Sequence, residues 1–125
     1  MKLMTKEIEK RIPRLWETSE PRTGARNLLR YPPQAKFLGS DARVHVKFFS
    51  PWSGWTWYAT EYDPLERRFF GYVKGDYPEF GYFSLDELES VEMMPGVPAV
   101  ERDKYWNSKT TIGDVVEAVE RGDYL

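Results

Sequence analysis

The single histidine, His45, is the one side chain of this sequence whose ordinary pKa lies near neutral pH. Paired with a carboxylate such as Glu61 or Asp63 from a neighbouring strand, it would form the acid–base couple of a small hydrolase. A lone histidine in a strand is more commonly a surface or rim residue. A protein without enzymatic activity is therefore the competing hypothesis.

Residue types exclude several kinds of chemistry. Without cysteine the chain has no disulfide, thiolate nucleophile or cysteine metal site, and one histidine rules out a multi-histidine metal centre. We find no spaced Asp/Asn loop for a hard cation, and no phosphate-binding loop, dinucleotide fingerprint or serine elbow. The sequence therefore predicts neither a metal nor a cofactor.

Trp52 is a candidate of another kind, because it lies in the turn Ser50-Pro51-Trp52-Ser53-Gly54. An indole that is exposed at the tip of a turn often anchors a protein partner. The alternative is that the ring folds back over its hairpin. An exposed Trp52 would indicate a protein–protein adaptor or inhibitor.

The strongest pattern is the alternation of aromatic and basic residues in the stretch 43–83. It predicts a meander of strands over 43–49, 55–62, 67–74 and 79–83. Successive side chains of a strand point to opposite faces. One face is expected to carry Val44, Val46, Phe48, Trp55, Trp57, Ala59, Phe69, Val73 and Phe83. The other, which we call the aromatic–basic face, is expected to carry Arg43, His45, Lys47, Tyr58, Tyr62, Arg68, Phe70, Tyr72, Lys74, Phe80 and Tyr82.

The aromatic–basic face has two interpretations. Single-stranded nucleic acid requires such a surface, because bases stack on rings while Lys and Arg contact phosphates. Alternatively, one helix packs against each face of the sheet and the rings belong to the core. If the face binds a ligand, the expected contacts, with Trp52, are Arg43, His45, Lys47, Tyr58, Arg68 and Tyr72.

The net charge of −2 conceals an uneven distribution. Residues 1–50 contain 11 Lys/Arg and 5 Asp/Glu, whereas residues 51–125 contain 7 and 15. These parts either compensate each other in the fold or leave a basic surface for an anionic partner. No apolar run could span a bilayer, and the first residues become amphipathic too soon for a signal peptide. We therefore expect a cytoplasmic protein without membrane contact.

Helices are expected before and after the predicted sheet. Thr5 can cap a helix over residues 6–12, after which residues 18–41 have the composition of a long loop or insertion. A connection of that length is unusual in a compact domain, which indicates a functional or partly structured segment. A shorter loop is predicted over 95–98.

Two more helices complete the prediction. Ser84 and Glu87 have the spacing of a capping box, and Thr111 can cap a C-terminal helix that ends at Gly122. The sequence thus predicts a single α+β domain over residues 1–125. Its expected architecture is an antiparallel meander sheet of about four strands with an N-terminal helix, a capped helix after the sheet and a C-terminal helix.

Several runs carry a resemblance to a known family: 3–7, 44–51, 55–63, 70–73, 79–89 and 101–103. Over most of its length the chain resembles short bacterial proteins of unknown function that are commonly encoded on plasmids, phages and integrative elements. Segment 21–40 looks like an insertion relative to that pattern, and the tail 110–125 is longer. The resemblance implies a small accessory protein of mobile DNA and brings no catalytic residues.

Three functional hypotheses follow. The first is an accessory protein of a mobile genetic element that acts as a non-enzymatic binding module through the aromatic–basic face, with single-stranded nucleic acid as its partner. The second is a protein–protein adaptor or inhibitor anchored by Trp52. The third is a small hydrolase that uses His45 with Glu61 or Asp63.

Overall fold

A computed structural model of the chain describes residues 3–15, 41–123 and 125. Its elements are, in order, α1 (Lys6–Arg11), β1 (Val46–Phe49), β2 (Thr56–Asp63), β3 (Arg68–Lys74), β4 (Pro78–Ser84), α2 (Leu85–Ser90), β5 (Glu92–Met94), β6 (Val97–Pro98), β7 (Glu101–Arg102) and α3 (Ile112–Arg121). In this described part of the chain, five strands form an antiparallel sheet in the order β4-β3-β2-β1-β7. The predicted α+β class is confirmed, and β7 adds a short strand to the expected meander.

A β-bulge in β2 changes the predicted assignment of side chains to faces. Thr60 is an extra residue relative to β3, because the register shifts between Ala59 and Glu61. Beyond such a bulge the side chains point opposite to simple alternation. The prediction that Tyr62 lies on the aromatic–basic face is therefore wrong. Its ring packs against Phe69 on the other face, with centroids 4.6 Å apart.

Helices α1 and α2 cover the first face of the sheet. Phe69 is central there, with its ring 5.2 Å from that of Phe48 and 5.3 Å from that of Phe83. Burying these rings and the helical leucines and isoleucines provides the main stabilisation of this side. The buried cluster comprises Leu3, Ile8, Ile12, Val46, Phe48, Ala59, Tyr62, Phe69, Phe83, Leu85, Leu88 and Val100.

Helix α3 covers part of the second face. Its apolar stripe packs on two tyrosines of the sheet and on residues that precede β1. Val44 belongs here and not beside Val46 as predicted, because regular pairing of β1 begins at Val46 and the Val44 amide donates to the Thr110 carbonyl (2.9 Å). This second cluster comprises Ala42, Val44, Tyr58, Tyr72, Ile112 and Val115.

The predicted helix caps are present. Thr5, Ser84 and Thr111 each accept a hydrogen bond from a backbone amide of the first turn. The box predicted at Ser84 and Glu87 is present only in part, as the bond from the Glu87 amide to the Ser84 hydroxyl, whereas Thr111 forms a complete capping box with Asp114. Gly122 ends α3 in the left-handed conformation. Such caps satisfy amides that lack a partner at a helix start, so the local sequence determines where these helices begin.

Two predicted loops have different outcomes. Residues 95–98 are not only a loop, because β5 and β6 pair there as a small hairpin. The long loop or insertion predicted over 18–41 lies outside the described residues, apart from Asp41.

Candidate functional site

Lys47, Tyr58 and Tyr72 lie side by side on the sheet beneath α3. Lys47 is the cross-strand partner of Tyr58, and Tyr58 is the partner of Tyr72. Tyr58 is only 2% exposed and Tyr72 only 6%. Neither ring is therefore open for a base to stack on it, and this arrangement agrees with the alternative in which a helix packs on the aromatic–basic face.

The polar ends of Lys47 and Tyr58 are engaged inside the molecule. The Lys47 ammonium donates to the Leu125 carbonyl and lies 3.8 Å from the Asp103 carboxylate. Its nitrogen is also 5.6 Å from the centroid of the Trp106 ring. The Tyr58 hydroxyl donates to the same Leu125 carbonyl (3.4 Å), and burial raises the pKa of Tyr58 to about 12. Both groups thus help to stabilise the second buried cluster, beneath α3.

Arg68 lies on the same face of the sheet, away from α3. Its guanidinium carbon is 4.6 Å from the centroid of the Tyr82 ring, and its buried Nε has no hydrogen-bond partner among the described residues. Glu61 is fully buried nearby and accepts a hydrogen bond from the Thr60 hydroxyl. Burial raises the pKa of Tyr82, Arg68 opposes this shift and Glu61 adds to it. Arg68 and Glu61 therefore act on the Tyr82 hydroxyl in opposite directions.

The couple required by the hydrolase hypothesis is not assembled. His45 lines a cleft of about 330 Å³ beside α1, and neither Glu61 nor Asp63 lines that cleft. Asp63 instead accepts hydrogen bonds from the Leu65 amide (2.9 Å) and the Glu66 amide (3.3 Å) in the turn after β2. The structure thus gives His45 no carboxylate from this pair.

The electrostatic surroundings of His45 are positive. Burial, followed by the nearby charges of Arg11 and Arg43, lowers the pKa of His45 to about 4. The imidazole is consequently neutral at pH 7. Arg43 itself is exposed, and its backbone forms an isolated bridge with Thr111. Of the predicted site residues, the structure thus brings Arg43 and His45 together in one place and Lys47, Tyr58 and Tyr72 in another.

Trp52 stands on a well-formed turn between β1 and β2. The Ser50 amide donates to the Trp55 carbonyl (2.9 Å), and the Gly54 amide donates to the Ser50 carbonyl (3.1 Å). Gly54 has a φ of 78°, a conformation that favours glycine. On this support Trp52 is 56% exposed, so its ring does not fold back into the core.

Other large apolar side chains lie at the same end of the sheet. The turn between β1 and β2 and the turn between β3 and β4 share this end, because the strands run antiparallel. Trp55 was predicted to point inward, but it lies just before β2 at the rim of the core and is 36% exposed. Tyr77, in the other turn, is 81% exposed. We call this surface the tryptophan end and define it by Trp52, Trp55, Trp57, Val73 and Tyr77.

Glycine shapes the tryptophan end. A Cβ atom at Gly75 would lie 2.6 Å from the Trp55 ring, so the indole rests directly on the backbone of this residue. The centroids of the Trp55 and Trp57 rings are 5.9 Å apart. Trp57 and Val73 pack against the buried cluster on the first face of the sheet. The apolar side chains therefore form a surface supported by the sheet.

Sequence reasoning did not identify Tyr77, Arg11 or Lys104 as candidates. A signal for Tyr77 was present, since it precedes Pro78 in a predicted turn and turns run over the protein surface. Arg11 and Lys104 line the His45 cleft from distant parts of the sequence. No pattern within a single segment of the sequence indicates that these two residues lie close together.

Within the part of the chain that the structure describes, no three His, Cys, Asp or Glu side chains come close enough together to hold a metal ion. Each helix described there is too short or too polar to traverse a lipid bilayer.

Comparison with known proteins gives one match. A family model described as "Protein of unknown function (DUF2958)" matches residues 24–124. No curated protein and no solved structure matches the chain.

Proposed function

The chain belongs to the DUF2958 family of proteins of unknown function, and we propose that it is a non-enzymatic binding module that holds a protein partner at the tryptophan end. The observation that carries this proposal is the exposure of Trp52 on an ordered turn. Tryptophan is enriched among the residues that dominate the free energy of protein association. A turn whose backbone is already hydrogen-bonded loses little conformational freedom when a partner covers it.

The neighbours of Trp52 favour a protein over a nucleic acid at this end. Trp55, Trp57 and Val73 extend the apolar surface, and Asp76 and Glu79 beside it are acidic and exposed. Phosphates would be repelled by these carboxylates. A protein surface with an apolar pocket and a basic rim would complement them.

The aromatic–basic face offers less support for a nucleic-acid platform. Its central rings, Tyr58 and Tyr72, are covered by α3, and Lys47 is engaged by Asp103 and Leu125. Binding of single strands through base stacking needs accessible rings. The protein partner is therefore the function that the described surfaces favour.

The setting that we propose for this module is a mobile genetic element. Resemblance to short bacterial proteins encoded on plasmids, phages and integrative elements supports this setting. In such a setting an adaptor or inhibitor would recognise a protein of its host or of the element. An apolar anchor on a small, stable sheet suits either role.

A capture experiment with three baits tests the proposal. Three baits are immobilised: the unsubstituted protein, Trp52→Ala and Tyr105→Ala. Each is exposed to the same bacterial host extract, and the bound proteins are quantified by mass spectrometry. Tyr105 is the matched control, because it is an aromatic residue almost fully exposed away from the tryptophan end. Thermal unfolding of the three baits verifies that they are equally folded.

The expected result is one protein that is retained by the unsubstituted bait and by Tyr105→Ala but is lost with Trp52→Ala. Removal of a hot-spot tryptophan costs about 2 kcal/mol or more, which corresponds to about 30-fold in Kd. Equal retention by Trp52→Ala would overturn the proposal. Quenching of the five tryptophans by a single-stranded oligonucleotide that weakens steeply with salt would instead favour a nucleic-acid partner.

A further inference from the structure

A cleft separate from the tryptophan end lies between α1 and the segment that follows β7. Its volume is about 330 Å³, which is near the lower limit for small-molecule sites. It is formed by segments far apart in sequence, and Trp106 provides an aromatic wall. The charged and titratable side chains that line it are Glu7, Arg11, His45, Arg102, Asp103 and Lys104.

The charges of this cleft are compensated to different degrees. Arg11 and Lys104 are exposed and form no ion pair within the described residues. Asp103, in contrast, lies 3.8 Å from the Lys47 ammonium and accepts a hydrogen bond from the Tyr105 amide (2.9 Å). The Asp103 carboxylate is therefore partly neutralised from outside the cleft, whereas Arg11, Lys104 and the exposed Glu7 are not neutralised by an ion pair in the described part of the chain.

The remaining charged groups have defined positions. Arg102 donates to the Leu3 carbonyl (3.0 Å), which orients its side chain where it lines the cleft. Glu7 is exposed on the α1 side and opposes an anion there. Counting only the lining side chains at neutral pH, three cations face two carboxylates, and Arg43 adds positive potential at His45.

The surroundings of His45 disfavour a protonated imidazole. Its buried Nδ1 has no hydrogen-bond partner among the described residues, so no hydrogen bond at this atom stabilises the charged form. Burial and the two arginines Arg11 and Arg43 bring the pKa of His45 to about 4. A bound anion would act in the opposite direction, because negative charge stabilises the imidazolium.

We propose that this cleft binds a phosphate group, with Arg11 and Lys104 contacting its oxygens and His45 taking up a proton as the anion enters. Guanidinium and ammonium groups form short charge-assisted hydrogen bonds with phosphate oxygens. The shared chemistry fits either a free nucleotide, whose base would lie against Trp106, or the phosphate of a nucleic-acid strand. Because affinity and proton uptake are linked, binding tightens as the pH falls toward the pKa that His45 has in the complex.

The chain provides a direct probe, because its one histidine gives unambiguous imidazole signals in NMR spectra. The full-length protein is titrated with sodium sulfate, which keeps its double negative charge across the pH range, and the pKa of His45 is measured. Sodium chloride at equal ionic strength controls for general screening. We expect sulfate to raise the pKa of His45 by about one unit beyond the effect of chloride, which is a tenfold change in proton affinity.

Three variants locate the anion. Arg11→Gln and Lys104→Gln should each weaken sulfate and inorganic phosphate binding about tenfold or more, because each variant loses a charge-assisted hydrogen bond to the anion. Lys10→Gln is the matched control, because Lys10 is an exposed cation of the same helix that does not line the cleft. Equal weakening by all three variants, or a sulfate effect no larger than that of chloride, would overturn the site.

The source of the phosphate is distinguished by two further probes. Adenosine monophosphate that binds more tightly than inorganic phosphate indicates a free nucleotide. A 5′-phosphorylated single-stranded oligonucleotide that binds more tightly than adenosine monophosphate indicates a nucleic-acid strand. Failure of the Trp52→Ala capture experiment leaves this result unaffected, since Trp52 does not line the cleft.

Discussion

Gly71→Ala tests the arrangement of the sheet on which the whole interpretation depends. Gly71 pairs with Ala59 at the bulge of β2. A Cβ atom added at Gly71 would lie 1.8 Å from the carbonyl oxygen of Tyr58 and 2.9 Å from the Cα of Ala59. Real Cβ contacts essentially never fall below 3.0 Å, and the obstructing atoms belong to backbone. The two strands would have to separate by more than about 1 Å, which places the substitution among the severe overpacking changes.

The expected loss of stability can be given a magnitude. Overpacking typically costs 1–3 kcal/mol, and an obstruction by backbone belongs at the upper end, so we expect about 3 kcal/mol. At about 2.1 cal/mol/K of unfolding entropy per residue, 125 residues give about 0.26 kcal/mol/K. The melting temperature should therefore fall by about 11 °C. With an m-value of about 1.5 kcal/mol/M, the urea midpoint should fall by about 2 M.

Gly81→Ala is the matched control for this experiment. Gly81 is the cross-strand partner of Gly71 in β4, yet a Cβ atom there meets nothing within 4 Å. The same substitution at Gly81 should be neutral or stabilise by about 0.4–1 kcal/mol, because alanine restricts the unfolded chain. Both variants are followed by circular dichroism during urea and thermal unfolding. Equal stability of Gly71→Ala and Gly81→Ala would refute the register of β2 and β3, and with it the burial of Tyr58 and Tyr72.

Further predictions concern the pH dependence of stability and the N-terminal cap of α3. The pKa of His45 is lower in the folded protein, about 4, than its ordinary 6.5, so the unfolded chain binds more protons between these values. Stability should therefore fall as the pH decreases from about 6.5 to about 4, and His45→Gln should reduce this slope in thermal unfolding curves; identical slopes would contradict the pKa shift. Thr111→Ala should destabilise the protein by about 1 kcal/mol through loss of the α3 capping box, whereas Thr111→Ser should retain most of that stability in urea unfolding. A Thr111→Ala protein as stable as the original would show that α3 does not depend on its cap.

The strand pattern predicted the sheet well where alternation is unbroken. Trp57, Phe69 and Phe83 lie on the face expected for them, and the helix caps at Ser84 and Thr111 are local signals that the structure reproduces. The prediction is wrong after Thr60, because a bulge inserts one residue without a distinctive residue type. Every side chain beyond it in β2 then changes face.

The candidate site was harder to predict than the fold. Lys47, Tyr58 and Tyr72 share a face as expected, but their accessibility depends on where α3 packs. The stripe of α3 is visible in the sequence, whereas its choice of sheet face is a tertiary property. Convergence of Arg11 and Lys104 at one cleft is likewise non-local. Sequence patterns therefore reveal the elements more readily than the surfaces these elements leave open.

Of the features of the candidate site, the position of Trp52 in a turn was the one that the sequence indicated most directly. Trp52 follows Pro51 in a turn that glycine closes, and the structure places its ring outside the core. Turns run over the protein surface, which favours exposure of their residues, and the structure decides for an exposed Trp52 over a ring folded back on its hairpin. Tyr77 lies exposed at the same end of the sheet and extends the surface around Trp52.

The most direct test of the central proposal is to measure the affinity of the captured partner by isothermal titration calorimetry. The partner is titrated into the purified unsubstituted protein, Trp52→Ala and Tyr105→Ala. We expect Trp52→Ala to raise Kd about 30-fold or more and Tyr105→Ala to leave it within about twofold. A Trp52→Ala protein that binds as tightly as the original would contradict the assignment of the tryptophan end as the binding surface.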